Sequence, residues 1–187
     1  MKAAKSSTVL RYIRYIGLFK KVLEKISGFM GKSYIKGWAL QGGMAFPTGS
    51  KVIDSLLEGG YLPGIINTIY GPAASGKTTA CMLAAIEVAR KGRKVVYVDT
   101  EGGFSTERFK QLAPDYEKLL PNIIFLKIKS FEEQIRQFKL LPELAKNQRI
   151  GLIIVDTIGS HYRSVRREET YRQSNNELAM QVEILQE

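Results

Sequence analysis

The stretch that decides the fold is Tyr70–Thr79, YGPAASGKTT. Gly71, Gly76, Lys77 and Thr78 fall on the spacing G-x-x-x-x-G-K-[ST], which builds a loop around phosphate. Physical chemistry sets that spacing. Glycines let the loop backbone, which runs through Pro72, Ala73, Ala74 and Ser75, turn its N–H groups inward as an anion nest. Lys77 reaches the β- and γ-phosphates, and the Thr78 hydroxyl sits on Mg²⁺. The helix that follows adds its positive end. With Gly at roughly 7% of residues, the four positions match by accident in on the order of one chain in a hundred of this length, so the flanks must decide. GIINTIY (Gly64–Tyr70) reads as a buried strand and TTACMLAAIEVARK as a helix. That strand-loop-helix order is what the motif requires, and it argues against a plain glycine-rich turn.

The chain has 187 residues, enough for one core that removes roughly 70% of the unfolded surface from water. Cys81 is the single cysteine and lies within the helical stretch after the loop. It reads as a small core residue, excludes a disulfide framework and a thiolate metal cluster, and suits a reducing cytoplasm. His161 is the only histidine, which excludes His-rich metal sites, and no 18-residue apolar run marks a membrane span.

The net charge of +10 suggests a nucleic-acid binder until it is divided along the chain. Residues 1–46 hold nine Lys and Arg against one acid, Glu24, whereas residues 47–187 hold 19 bases and 17 acids. The globular part is therefore nearly neutral. In the basic extension, TVLRYIRYIGLFKKVLEKISGFM places Val9, Ile13, Ile16, Phe19, Leu23, Ile26 and Met30 on one helical stripe, with Arg11, Arg14, Lys21 and Lys25 opposite. Such a helix lies on a membrane surface, docks on a partner or binds nucleic acid nonspecifically. A secretory signal is excluded by the charges that interrupt its apolar core. Met44 stands directly before AFPTGSKVIDSLLEGG, so another reading starts translation there and leaves residues 1–43 untranslated.

From Pro47 onward, apolar strand-like runs at 64–70, 94–99, 122–128 and 150–156 alternate with helical stretches. The third helix opens on a capping box, Ser130 with Glu133, and Pro142 predicts a kink or a split in it. Continuous β-rich runs joined by crossover helices predict a mostly parallel sheet with helices on both faces. The phosphate loop, DTEGG and DTIGS all follow strand ends, so they gather along one edge, where open α/β folds bind ligands. There Asp156 is placed to hold Mg²⁺ through water, although a strand-ending Asp also serves as a turn or cap. VDTEGGFSTERF brings two carboxylates, Asp99 and Glu101, to a neighbouring strand end, and one of them can orient water.

TGSKVIDSLLEGG, GPAASGKTT, VDTEGGFSTER and LIIVDTIGSHYR, in this order and spacing, resemble the ATPase core of the RecA-type recombinases over nearly all of residues 47–187. Within that group the chain is similar to the archaeal RadB paralogues. It implies that Lys77, Thr78 and Thr79 grip the triphosphate of ATP and its Mg²⁺, with Lys77 and Glu101 the catalytic pair. Glu101 would polarise the attacking water, Asp156 would serve the metal, and Arg108 would pack by the adenine. After SHYR would begin the first DNA-binding loop. The partners implied are single-stranded or branched DNA and other recombination proteins, such as the main recombinase or a Holliday junction resolvase.

That loop also has a reading of its own. HYRSVRREETYRQSNN concentrates Arg163, Arg166, Arg167 and Arg172, which neutralise phosphates, with Tyr162 and Tyr171, which stack bases. Glu168 and Glu169 balance part of that charge, as in an ordinary solvated loop. Two departures from the family pattern stand out. No F-x-x-A segment of the kind that hooks filament neighbours occurs: the first fifty residues offer FKKV, FMGK and FPTG. The chain also stops in a helical stretch, NNELAMQVEILQE, before the strand, glutamine switch and second DNA loop expected of this core, so the core reads as truncated. The expected protein is an accessory recombination and repair factor that binds ATP, hydrolyses it weakly and binds DNA in a nucleotide-modulated way. A non-catalytic nucleotide-gated scaffold and a KaiC-like signalling ATPase without DNA binding are the alternatives.

Overall fold

The computed structural model describes residues 10–15, for their backbone alone, together with residues 45–165 and 171–186. Five strands form one sheet: β1 (Leu10–Tyr15), β2 (Ile66–Tyr70), β3 (Lys94–Asp99), β4 (Ile123–Lys127) and β5 (Ile150–Asp156). Their order is β2-β1-β5-β3-β4, and every pair is parallel. The helices are α1 (Lys51–Leu56), α2 (Lys77–Arg90), α3 (Thr106–Leu112), α4 (Tyr116–Leu119), α5 (Phe131–Asn147), α6 (Ser160–Val165) and α7 (Tyr171–Ile184).

The period-2 alternation of a strand divides the core between two layers. Val95 and Tyr97 of β3, with Leu152 and Ile154 of β5, meet Cys81, Ala84, Ala85 and Val88 of α2 on one face. Val96, Val98, Ile153 and Val155 point the other way, against Phe131, Phe138 and Leu141 of α5 and Leu178 of α7. Burial on both faces explains why these strands read as unbroken apolar runs. Small alanines on α2 let the helix lie close to the sheet, and the fit is tight at its end. A Cβ on Gly151 would come within 2.8 Å of Val88 Cγ1 and of the Arg93 side chain, so the second position of β5 holds the one residue that clears them.

Two expectations about the elements need correction. Leu10–Tyr15, assigned to an amphipathic helix by its periodicity, is a strand paired on both sides, with Arg11 opposite Ile66 and Ile13 opposite Val155. Tyr12, Ile13 and Tyr15 are residue types enriched in strands, although the arginines break a strict alternation, and pairing with distant strands sets the outcome. The remainder of the predicted helix lies outside the described residues. Pro142 does not split α5, which runs through it as a single helix. Phe138 and Leu141 before the proline and Leu144 after it pack against the same core. At the start of α5 the Ser130 half of the capping box forms, with Glu133 N donating to Ser130 Oγ at 3.1 Å, while Glu133 Oε2 accepts from Lys129 N, one residue before the cap, at 2.8 Å.

Among the described residues, no helix is long and apolar enough to cross a membrane.

Candidate nucleotide site

The phosphate loop leaves β2 at Tyr70 and enters α2 at Lys77, with Pro72–Gly76 exposed. The two glycines serve its shape in different ways. Gly76 is the N-cap of α2 with φ +84°, where a side chain is strained although nothing crowds it. A Cβ on Gly71 would meet Ser75 Oγ at 2.9 Å, so glycine there leaves that hydroxyl room to accept from Lys77. Ala74 also takes a positive φ, +59°, the kind of backbone strain that collects at ligand loops.

Helix α2 has no side-chain cap hydrogen bond and no acid in its first turn. Its first N–H groups therefore face the loop with the positive end of a 14-residue helix behind them. Lys77 is only 4% exposed, and its ammonium donates to the Pro72 carbonyl and, at 3.1 Å, to Ser75 Oγ. A buried cation held by two neutral oxygens of its own loop is a strong anion site, because a phosphate offers it the charge those oxygens lack. Thr78 and Thr79 continue the first turn, half-buried.

Asp156 ends β5 fully buried, and Tyr97 Oη donates to its Oδ2 at 3.1 Å. Burial pushes the Tyr97 phenol well above its ordinary range, and the nearby Cys81 and Asp156 push it further, so the hydroxyl stays protonated and keeps donating. One strand, β1, separates β2 from β5. Two strand spacings put the phosphate loop and Asp156 about 10 Å apart laterally, at the same end of the sheet. The donor set fits a nucleotide with Mg²⁺: N–H groups and an ammonium for phosphate, then a hydroxyl and a carboxylate across the gap for a hard cation that keeps its waters.

The two carboxylates after β3 have different surroundings. Asp99 is 2% exposed, and its oxygens accept from Gly103 N at 3.1 Å and Phe104 N at 3.3 Å, shaping the turn. Glu101 stands on the exposed part of that turn, and its Oε1 lies 3.8 Å from Arg163 Nη2 on α6. Arg172 is exposed on α7, while Arg166 and Arg167 lie outside the described residues. Arg108 is exposed on α3, where its guanidinium donates to Gln111 Oε1 at 3.0 Å. The reading of Tyr162 as a base-stacking residue is overturned. It is 5% exposed, packs edge-on against Phe131 and donates its hydroxyl to Asn175, because α6 turns that side toward the core. Tyr171 remains exposed.

The sequence model of the Rad51 family matches residues 41–187. The chain belongs to the Rad51 family. This Rad51-family chain is 40% identical over 142 residues to the DNA repair and recombination protein RadB of Thermococcus kodakarensis, a match covering 74% of the chain and 61% of the relative. It is 37% identical over 137 residues to the protein of the same name from Methanococcoides burtonii, covering 72% of the chain and 60% of the relative. The solved structure titled crystal structure of the RadB recombinase superposes with a TM-score of 0.62 at 37% identity, covering 75% of this chain and 64% of that one. The family chain here thus spans about 60% of the length of the curated relatives it matches. The family's RecA-like ATPase fold accounts for the parallel sheet and implies a nucleotide. The match begins at residue 41, so β1, between β2 and β5, comes from sequence outside it.

Sequence reasoning missed three contacts at this site: the Tyr97–Asp156 bond, the role of Asp99 in the turn, and the pairing of Thr100 with Thr157. A signal for the last is visible, since both strands end in Asp-Thr.

Proposed function

We propose that the chain is the nucleotide-binding core of a recombination and repair accessory protein that binds ATP, hydrolyses it slowly and uses the bound nucleotide to set its grip on DNA. The α2 N-terminus and Lys77 would hold the phosphates, Thr78 and Asp156 would hold Mg²⁺, and Arg108 would serve the base. Mg²⁺, when bound, supplies positive charge to the phosphate oxygens. Glu101 orients the attacking water, since Asp99 is already taken up by the turn.

The observation that carries the DNA part is the contact of Arg163 with Glu101. The first arginine of the basic segment touches the carboxylate assigned to water, seven residues along the chain from Asp156. A partly exposed pair of this kind contributes at most about 1 kcal/mol, so a DNA phosphate competes for Arg163 readily. The names of the relatives, DNA repair and recombination protein RadB, support DNA as the ligand.

A salt titration tests this. If Arg163, Arg166, Arg167 and Arg172 all contact phosphates of single-stranded DNA, log affinity falls against log salt with a slope near −3, from about −0.7 per contact. Each Arg→Ala change should make the slope shallower by about that amount. An unchanged slope in the fourfold alanine variant would mean that the segment is only solvated, and would favour the nucleotide-gated scaffold.

A further inference from the structure

The two strands that carry the candidate catalytic groups leave the sheet on the same dipeptide, Asp99-Thr100 after β3 and Asp156-Thr157 after β5. Asp99 stands opposite Asp156 in register, so the two threonines meet where the ladder stops. Thr100 N donates to Asp156 O at 3.1 Å, the last backbone bond between the strands. One step further a side chain takes over. Thr100 Oγ1 donates to Thr157 O at 2.6 Å and accepts from Thr157 N at 2.9 Å, with Thr100 5% and Thr157 0% exposed. A single hydroxyl thus satisfies both backbone groups of a buried residue, and the stiff χ1 of a β-branched side chain keeps it aimed.

We propose that Thr100 is a positioning residue for hydrolysis, clasping the ends of β3 and β5 so that Glu101 holds a fixed place relative to Asp156. Glu101 follows Thr100 directly and Asp156 precedes Thr157 directly, so the clasp joins the two groups through one covalent link on each side. The far side of the Glu101 turn is held by Asp99, which accepts from Gly103 N and Phe104 N. Glu101 is therefore anchored on both flanks while its own side chain reaches toward Arg163. The proposal rests on Glu101 as the water-orienting group. Nothing in it involves the phosphate loop, which is carried by β2 and α2.

The test compares Thr100→Val, which keeps the shape and removes the hydroxyl, with Thr100→Ser, which keeps the hydroxyl, in the full chain. Single-turnover ATP hydrolysis should fall about 10- to 10²-fold in Thr100→Val, the scale of an ångström-sized misplacement. Nucleotide affinity should be retained, and Thr100→Ser should recover most of the rate. In a Glu101→Gln background, Thr100→Val should add no further loss. The proposal is overturned if Thr100→Val hydrolyses as fast as the parent while Glu101→Gln is slow, if the two losses multiply, or if affinity falls along with rate. Equal turnover of Glu101→Gln and the parent would instead overturn the water-orienting reading, and the proposal with it. In the unsubstituted protein the Thr157 amide should exchange its hydrogen slowly. Exchange as fast as in an open loop would refute the clasp however the valine variant folds.

Discussion

Glu101→Gln is expected to slow ATP turnover by roughly 10²- to 10⁴-fold, the range typical of a removed general base, while ATP affinity stays at the parent level. The size of the effect follows from the division of labour after β3. Asp99 is buried, and both of its oxygens accept backbone N–H groups of the turn, so it has no access to water. Glu101 is the carboxylate of the two that faces outward at the strand end. The amide of Gln keeps the length and the hydrogen-bonding reach but not the basicity. Single-turnover hydrolysis beside an equilibrium titration separates the two quantities, and equal turnover in both proteins would refute the assignment.

Lys77→Ala should act on the other quantity and remove nucleotide binding. The ammonium sits 4% exposed among the loop oxygens, with Pro72 O and Ser75 Oγ as its partners. Hydrogen bonds to a charged group contribute roughly 1.5–3 kcal/mol each. Two such bonds to phosphate oxygens therefore correspond to a loss of about 10²- to 10⁴-fold in affinity, at 1.4 kcal/mol per factor of ten. A fluorescent nucleotide titration measures it, with thermal denaturation to show that the loop change leaves the fold intact. Parent-like affinity would contradict the phosphate-loop reading.

The parts of the fold set by local chemistry were legible in the sequence. The strands at 94–99 and 150–156 fall where their apolar runs place them, because both are buried on both faces and need no alternation. Ser130 caps α5 by accepting from Glu133 N, as their spacing requires. What local pattern could not supply is pairing over long distances. Leu10–Tyr15 falls within a helical stripe and shows no strand alternation, and its place between β2 and β5 is set by partners more than fifty residues away. The same limit applies to Tyr162. In an arginine-rich stretch it reads as a stacking side chain, yet the turn of α6 after β5 directs it to Phe131 and Asn175.

The candidate site was legible in its residues rather than in its connections. The phosphate loop announces itself because its glycines, lysine and threonine are adjacent in sequence. Tyr97, Thr100 and Thr157 do not, because each matters only through a neighbour on another strand. The repeated Asp-Thr at two strand ends is a legible hint only once the register places Asp99 beside Asp156.

The central claim is that the nucleotide site and the arginine segment act as one device, joined by α6 and the contact of Arg163 with Glu101. Its most direct test is the affinity of the full chain for single-stranded DNA, measured at one fixed salt concentration with a nonhydrolysable ATP analogue and with ADP. The account predicts tighter binding with the ATP analogue, and loss of that difference when Arg163 is replaced by Ala. Equal affinity in the two nucleotide states would contradict it.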